Sequence, residues 1–321
     1  MLDTSQTPSF DPINTAYNRV FRPGHLSIGL VLPLEAYPMG SEPTLQGHIE
    51  AAQQAEALGF AALWLRDVPF NVPSFGDVGQ IFDPFVYLGA LAMVTDRIAL
   101  GTGSVILPVR HPAHVAKAAA SVDTLSNGRL LLGVASGDRP EEYPAMRQSY
   151  SDRGARFRDS FEYIRAMGAT APKVDNTWGT LSGGIDMLPK PKGPRLPMLI
   201  TGGSQQSPNW AAAHGDGWIT YPRAAAEQAQ VISDYRARIA AAGQPDKPVM
   251  QSLYIDLLPE PDAAPHPIHL GFQAGTDFLR AYLREIQSAG VNHVALNLRF
   301  NGAPITSTLE HLAKIVLPEF A

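Results

Sequence analysis

Three stretches of small residues are the parts of this sequence best suited to hold a ligand. They read GTGSV at 101–105, SGD at 136–138 and TGGSQ at 201–205, and each follows a short apolar run typical of a buried strand. Small side chains let a planar molecule lie against the backbone, and Gly202 to Ser204, ahead of a predicted short helix, offer N–H groups to a phosphate. One glycine pair alone more often marks a tight turn. The three stretches together predict a flat, phosphate-bearing cofactor such as flavin mononucleotide (FMN).

Other common kinds of site lack the residues they need. There is no cysteine, which excludes disulfides, thiolate zinc sites and iron–sulfur clusters. His111 with His114 and His266 with His269 are each three residues apart, but no third ligand is nearby in the sequence, so we expect no metal. The lysines fall in predicted helices or loops rather than at strand ends, which disfavours Schiff-base chemistry.

Strands and helices alternate eight times along the chain. Apolar runs predict strands at 26–32, 61–65, 98–107, 130–135, 198–201, 218–221, 249–258 and 294–298, and each is followed by a helical pattern. Eight such units favour a single (β/α)8 TIM barrel over a doubly wound open sheet, which seldom reaches eight uniform units. A barrel places function at the carboxyl ends of its strands, which is where the three stretches lie.

Two segments rich in proline and glycine interrupt this alternation. They are 169–197, after the fourth strand, and 259–275, after the seventh, and both are predicted to be surface insertions that shape a substrate pocket. Residues 1–24 are predicted to be an N-terminal extension and 25–321 the barrel domain. Arg129, at the start of the fourth strand, lies on the opposite face, where we expect a structural role.

Charge and hydropathy limit the partners. The 321 residues are 45% hydrophobic and carry a formal net charge of −5, with no surplus of positive charge for nucleic acid or an anionic membrane. No apolar run reaches the roughly 18 residues of a membrane span, and the N-terminus has no signal-peptide pattern. We therefore expect a cytoplasmic protein that acts on a small molecule.

The segment 111–143 resembles the flavin-dependent luciferase-like monooxygenases. It reads HPAHVAKAAASVDTLSNGRLLLGVASGDRPEEY, with the Leu-Ser-x-Gly-Arg pattern that enters the fourth strand in that family. The resemblance extends to WLRDVP after the second strand, to GTGSV, and to TGGSQQSPNWAAAHGDGW. The WLRDVP sequence is most similar to the luciferase-type oxidoreductases within the family.

The resemblance implies a set of cofactor contacts. Ser104 and Val105 would form a bulge against the flavin ring, often with a non-proline cis peptide, and Ser136 and Gly137 would lie beside the ring or the phosphate. The phosphate itself would be held by Gly202, Gly203 and Ser204.

Two positions depart from the family pattern. Asp67 stands where bacterial luciferases have a catalytic histidine, and Ser136 stands where many relatives have an arginine, so Arg139 is predicted to supply that charge. We predict Arg66 and Asp67 to be the catalytic pair. An Arg66–Asp67 ion pair that only closes the barrel rim remains the structural alternative.

The resemblance implies a monooxygenase that uses reduced FMN, supplied by a separate flavin reductase, and dioxygen on a small organic substrate that the sequence does not identify. Two alternatives remain open. One is a deazaflavin-dependent reductase of the same fold, and the other is a non-catalytic flavin-binding protein, suggested by the missing histidine. Relatives pair through their second and third helices, so we expect a homodimer with apolar contributions from Phe85, Leu88, Val115 and Val122.

Overall fold

Eight parallel strands close into a barrel in the computed structural model, which describes residues 9–37, 41–75, 78 and 80–320. With strands numbered along the chain, the ring consists of β1 (Ser27–Val31), β2 (Ala62–Leu65), β3 (Ala99–Ile106), β4 (Leu130–Ala135), β7 (Met198–Thr201), β8 (Gly217–Thr220), β9 (Val249–Leu257) and β12 (His293–Asn297). Neighbours in this order are hydrogen-bonded, and β12 pairs with β1, with His293 opposite Ser27. The predicted TIM barrel is therefore confirmed.

Helices pack around the outside of the ring, except for the first, which lies across the end where the strands begin. They are α1 (Thr15–Val20), α2 (His48–Ala57), α3 (Pro84–Val94), α4 (Pro112–Leu125), α5 (Glu142–Ala145), α6 (Arg153–Ala166), α7 (Pro208–His214), α8 (Ala225–Ala241), α9 (Thr276–Ser288) and α10 (Ile305–His311). The main apolar core lies between these helices and the strands. Leu88, Val115 and Val122 are buried in that core and Phe85 packs against it. The residues expected at a dimer interface thus stabilise the barrel itself, and the exposed apolar side chains of α3 are Val86 and Met93.

Each predicted insertion contains a β-hairpin. In the first, β5 (Lys173–Asn176) pairs with β6 (Gly179–Ser182), and in the second, β10 (His266–Ile268) pairs with β11 (Gly271–Ala274). The β11 strand also pairs with β9, which extends the sheet outside the ring. The residues of β5 and β6 are exposed or half-buried, so the sequence has no apolar alternation there to indicate strands.

The N-terminal segment covers the end of the barrel where the strands begin. Asn14 Nδ2 donates to the carbonyl oxygen of Leu130 (2.8 Å), and the Tyr17 hydroxyl donates to that of Asp216 (2.6 Å). Phe10 and Phe21 are buried with them against the barrel interior. Arg129 lies at this same end and donates to four backbone carbonyls of the α3–β3 and α4–β4 connections and of α3, in the structural role expected for it.

Trp64 fills the middle of the barrel. Its Nε1 donates to His293 Nε2 (2.8 Å), and burial lowers the pKa of His293 to about 3, so the imidazole stays neutral and can accept. A Cβ placed on Gly101 would lie 2.4 Å from Trp64 Cε3. Gly101, the first residue of the GTGSV stretch, is therefore required by this packing and does not belong to a ligand wall.

Candidate functional site

The β3 strand is irregular where it reaches the carboxyl end of the barrel. Its register with β4 shifts between Thr102 and Val105, and the peptide bond between Gly103 and Ser104 is cis. The expected bulge with a cis peptide is present, although the Val105 side chain is fully buried in the outer core and cannot itself face a ligand. Ser104 turns inward, and its Oγ is hydrogen-bonded to Thr201 Oγ1 at the end of β7.

The turn after β4 is fixed by Tyr143. The Tyr143 hydroxyl donates to the carbonyl oxygen of Ser136, and both residues are buried. Gly137 has a φ of +75°, and a Cβ there would lie 2.8 Å from both Ile106 Cγ2 and the Tyr143 hydroxyl oxygen. This glycine is required by the chain itself, whether or not a ligand lies beside it.

The turn after β7 presents backbone N–H groups. Gly202, Ser204 and Gln205 have φ values of +53°, +43° and +57°. The Gly202 N–H donates to Ile219 O of β8 (2.8 Å) and is not available, whereas those of Gly203, Ser204 and Gln205 have no acceptor among the described residues. The donors thus lie one residue later than expected. They belong to the turn and not to α7, where the Trp210 N–H is capped by the Ser207 side chain.

Two glycines at this end leave open space. A Cβ on Gly203 would have no atom within 4 Å, and one on Gly103 would have only Trp64 Cε3 at 3.9 Å. Neither glycine has a positive φ. Because neither backbone conformation nor packing within the chain requires glycine at these two positions, a flat ligand lying over both fits the observed wall.

Asp67 forms a buried ion pair with Arg110. Its Oδ1 accepts from Arg110 Nη2 (2.7 Å), and its Oδ2 accepts from Arg110 Nε (2.8 Å) and from the backbone N–H of Ile106 (3.1 Å). The sequence offered an Arg66–Asp67 ion pair as the structural alternative to a catalytic pair, and the structure shows Asp67 paired with Arg110. The pair raises the pKa of Arg110 against the opposing effect of burial. Arg66 is half-buried just beyond β2.

Arg139 is buried between two loops at this end of the barrel. Its guanidinium lies 4.8 Å from the centre of the Phe75 ring, in the loop after β2, and its Nη1 is 3.9 Å from Glu142 Oε1. The Arg139 guanidinium, predicted to supply a positive charge to the cofactor, therefore lies against the β2–α3 loop and beside the Glu142 carboxylate.

Glu142 is a buried acid that the sequence did not single out. It is 1% exposed, and neither carboxylate oxygen has a hydrogen bond of normal geometry among the described residues. Burial raises its pKa, although Arg139 and the backbone N–H of Phe70 act in the opposite direction. A Glu-Glu-Tyr run is typical of a solvated helical turn, so the sequence gives no sign of this burial.

The described residues meet neither the requirements of a metal site nor those of a membrane-spanning helix. No three His, Cys, Asp or Glu side chains converge there as a metal ion would need. Within the same ranges, no helix is long and apolar enough to cross a membrane.

A TIM barrel with a wall of small residues and an open turn at the carboxyl ends of its strands is typical of barrel enzymes that bind a phosphate-bearing cofactor. This chain belongs to the luciferase-like monooxygenase family, whose family model matches residues 26–296. The family resemblance seen in the sequence is thereby confirmed.

Curated relatives include an uncharacterised protein of Mycobacterium tuberculosis, 32% identical over 230 residues that cover 66% of this chain and 79% of that protein. The F420-dependent hydroxymycolic acid dehydrogenase of the same species is 29% identical over 228 residues, covering 69% of this chain and 60% of that protein. F420 is a deazaflavin.

Solved structures share the fold at low identity. A monooxygenase from Streptomyces bottropensis superposes with a TM-score of 0.77 at 22% identity, covering 92% of this chain and 100% of that one. The oxygenating constituent of 3,6-diketocamphane monooxygenase from Pseudomonas putida, in complex with FMN, has a TM-score of 0.73 at 15% identity, covering 92% of this chain and 99% of that one.

Proposed function

We propose that this protein is a flavin-dependent monooxygenase that takes reduced FMN from a separate reductase and uses dioxygen to oxidise a small organic substrate. The observation that most supports the proposal is the open space over Gly103 and Gly203, beside a turn with three available N–H groups. A planar ring needs such a wall and a phosphate needs such donors.

The flavin would be held by residues from three neighbouring strands. Gly103 and Ser104 would face the ring, and Ser136 and Gly137 would border it from β4. The N–H groups of Gly203, Ser204 and Gln205 would bind the phosphate, with Gly202 contributing the turn rather than a hydrogen bond. Arg139 would approach the flavin from the β2–α3 loop, against which it packs.

The bound flavin supplies the electrons and the reaction with oxygen, so the chain needs few titrating groups of its own. Its part is to bind and orient the cofactor and to exclude water. Asp67 serves this as a positioning residue, because its carboxylate holds Arg110 and the backbone N–H of Ile106 at the end of β3. Arg66, the other member of the predicted catalytic pair, is half-buried just beyond β2 and would contact the substrate.

A deazaflavin-dependent oxidoreductase is the second candidate. It is favoured by the similarity to the F420-dependent hydroxymycolic acid dehydrogenase, which extends over 69% of this chain. The two cofactors share a planar ring system and a phosphate, so the wall and the turn suit both. They differ beyond the phosphate, where F420 continues into a long acidic tail.

Cofactor binding separates these candidates. The purified protein is titrated with FMN, riboflavin and F420, and flavin fluorescence reports binding. The proposal predicts tight binding of FMN and at least tenfold weaker binding of riboflavin, which lacks the phosphate. Tighter binding of F420 than of FMN would contradict it and favour the reductase.

Turnover separates an enzyme from a flavin-binding protein. Reduced FMN is generated by a reductase, and incorporation of labelled oxygen from dioxygen is measured by mass spectrometry over a panel of small ketones and phenols, with catalase present to remove peroxide. A labelled product supports the monooxygenase. Tight FMN binding with no product over the whole panel would favour a non-catalytic role.

A further inference from the structure

The two insertions reach different parts of the molecule. The first follows α6 and packs on the outside of the helices. There Asn176 Nδ2 donates to the Asp159 carbonyl oxygen of α6 (3.0 Å), and the Lys192 N–H donates to Asp123 Oδ2 of α4 (2.8 Å). The second insertion directly follows β9, so it begins at the mouth of the barrel, the opening at the carboxyl ends of the strands. The second insertion is therefore the one that can border the site.

The end of β9 projects beyond the ring and carries the hairpin of the second insertion. Within the ring, β9 pairs with β8 as far as Gln251 and with β12 as far as Tyr254. From Tyr254 to Leu257 it pairs with β11, which pairs in turn with β10. The end of β9 and the hairpin thus form a small sheet that stands at the edge of the mouth.

Tyr254 faces the inside of the barrel. Met250, four residues earlier, belongs to the cluster of side chains that fills the barrel, whereas Leu253 and Ile255 lie in the outer core. Side chains alternate along a strand, so Tyr254 lies on the same face as Met250 and closer to the mouth. The ring of Phe300, which follows β12, has its centre 5.3 Å from that of Tyr254, with 34° between the two planes. Two rings from neighbouring strands therefore lie side by side at the mouth.

His269 adds a third ring from the hairpin. It is one of the two residues in the turn between β10 and β11, and its imidazole centre lies 5.6 Å from that of the Tyr254 ring. The Tyr254 N–H donates to the Leu270 carbonyl oxygen (3.2 Å), which holds the turn beside this ring. His269 is exposed, and neither of its ring nitrogens has a hydrogen-bond partner among the described residues. The imidazole is therefore available to a ligand.

A buried arginine fixes the position of the Phe300 ring. The guanidinium carbon of Arg299 lies 5.4 Å from the centre of the Phe300 ring and 4.5 Å from that of Tyr37. The Tyr37 N–H donates to the Arg299 carbonyl oxygen (3.1 Å), and both residues are buried. Cation–π contacts of this kind hold the ring in place before a ligand arrives, which reduces the entropy that binding would cost.

We propose that Tyr254, His269 and Phe300 form the substrate wall of the site and that the substrate carries an aromatic ring. The inference rests on the proposed function, in which the flavin lies over the small residues of β3, β4 and β7. In the closed ring of strands, β12 lies opposite β4 and β9 lies next to β12. A substrate between the two sides would contact the flavin on one face and the three rings on the other. Rings pack on one another in edge-to-face and offset geometries that a saturated ring cannot match.

Binding of 2-naphthol and of its saturated analogue decahydro-2-naphthol tests this wall. Both are titrated into the full-length protein, flavin-free and saturated with FMN, and dissociation constants are measured by ligand-observed NMR. We expect the FMN-loaded protein to bind 2-naphthol on the order of tenfold more tightly than the saturated analogue. Equal affinities for the two compounds would overturn the proposal, because a merely apolar wall does not discriminate between them.

Variants show whether the three rings are responsible. His269→Ala and Phe300→Leu should each weaken 2-naphthol binding about fivefold or more, while His269→Phe, which keeps a ring, should bind like the parent. His25→Ala is the control, since His25 is exposed at the opposite end of the barrel, just before β1. All four variants should retain the circular dichroism spectrum of the parent. Unchanged affinity in His269→Ala or in Phe300→Leu would overturn the proposal.

The flavin-free titration separates this inference from the proposed function. If the parent does not bind FMN, the proposed function fails. A preference of the flavin-free protein for 2-naphthol that His269→Ala removes would still support the wall, and no such preference would overturn it.

Discussion

Asp67 and Arg110 make a two-bond ion pair that joins the end of β2 to the segment after β3, with bonds of 2.7 and 2.8 Å. The Asp67 side chain is only 1% exposed, whereas that of Arg110 is 24% exposed and also contacts Asp83, so solvent reaches the pair from the arginine side alone. The Asp67 carboxylate also accepts from the Ile106 N–H, at the end of the irregular strand that carries Ser104.

Asp67→Asn should lower the free energy of unfolding by about 2 kcal/mol, because the amide keeps the shape but loses charge-assisted hydrogen bonds. Arg110→Gln should cost a similar amount. The double variant should cost clearly less than the sum, since both changes break one interaction. Urea unfolding of the four proteins measures this coupling. Additive effects would mean that the two side chains do not stabilise the fold as a pair, and unchanged stability of Asp67→Asn with turnover abolished would return Asp67 to a direct catalytic role.

Glu142 should make stability depend on pH. Its pKa is raised in the folded protein by burial, with Arg139 opposing this and Asp67 and Asp138 adding to it. A raised pKa means that the native state holds the proton more tightly than the unfolded chain. The resulting stabilisation is complete below the ordinary glutamic acid pKa of about 4.3 and is lost as pH rises through the higher folded value.

The matched variant is Glu142→Gln, which imitates the protonated acid at every pH. Urea unfolding from pH 4 to pH 8 should show its stability relative to the parent improving as pH rises. A relative stability that falls over that range would mean that the Arg139 pair dominates over burial.

Gly101 and Gly89 offer a test of the barrel packing. A Cβ on Gly101 would lie 2.4 Å from Trp64 Cε3, whereas one on Gly89 of α3 would meet no atom within 4 Å. Gly101→Ala should therefore destabilise the protein by about 1–3 kcal/mol through overpacking. Gly89→Ala should stabilise it by up to about 1 kcal/mol through helix propensity. Thermal unfolding of both variants checks whether Gly101→Ala lowers the melting temperature and Gly89→Ala raises it. An unchanged melting temperature for Gly101→Ala would contradict the packing described.

The sequence predicted the parts of the fold that depend on local pattern. Each of the eight ring strands overlaps a strand predicted from an apolar run, and helices follow the strands as predicted. The hairpins in the insertions were missed because their strands are only three or four residues long, and those of the first hairpin are exposed or half-buried. The packing of Gly101 was missed because it depends on the register between β2 and β3, which places Trp64 of β2 beside Gly101 of β3.

Within the site, the sequence located the small residues but not the partners of the charged ones. Asp67 and Arg110 are 43 residues apart, and only the closure of β2 against β3 brings them together. The burial of Glu142 arises in the same way, from contacts between loops that only the closed barrel brings together. Such contacts depend on tertiary structure, which no local spacing encodes.

The exposed apolar face of α3 predicts a homodimer. Val86 and Met93 are 73% and 70% exposed and lie two helical turns apart on one side of the helix. The parent should have a dimeric mass by light scattering at micromolar concentration, and Val86→Glu with Met93→Glu should have a monomeric one. Ile185→Glu, at a 67% exposed apolar position in the first insertion, is the control and should stay dimeric. A monomeric parent would refute the prediction.

FMN affinity of Gly203→Val tests the account most directly. Gly203 and Gly184 are both exposed, neither has a positive φ, and a Cβ on either would meet no atom within 4 Å, so valine at either position should leave the fold intact. If the flavin lies over the wall at Gly203, Gly203→Val should raise the dissociation constant for FMN by on the order of tenfold or more, which corresponds to about 1.4 kcal/mol. Gly184→Val, in the first insertion, should bind FMN like the parent. Equal FMN affinity for the parent, Gly203→Val and Gly184→Val would show that the cofactor does not bind where we place it.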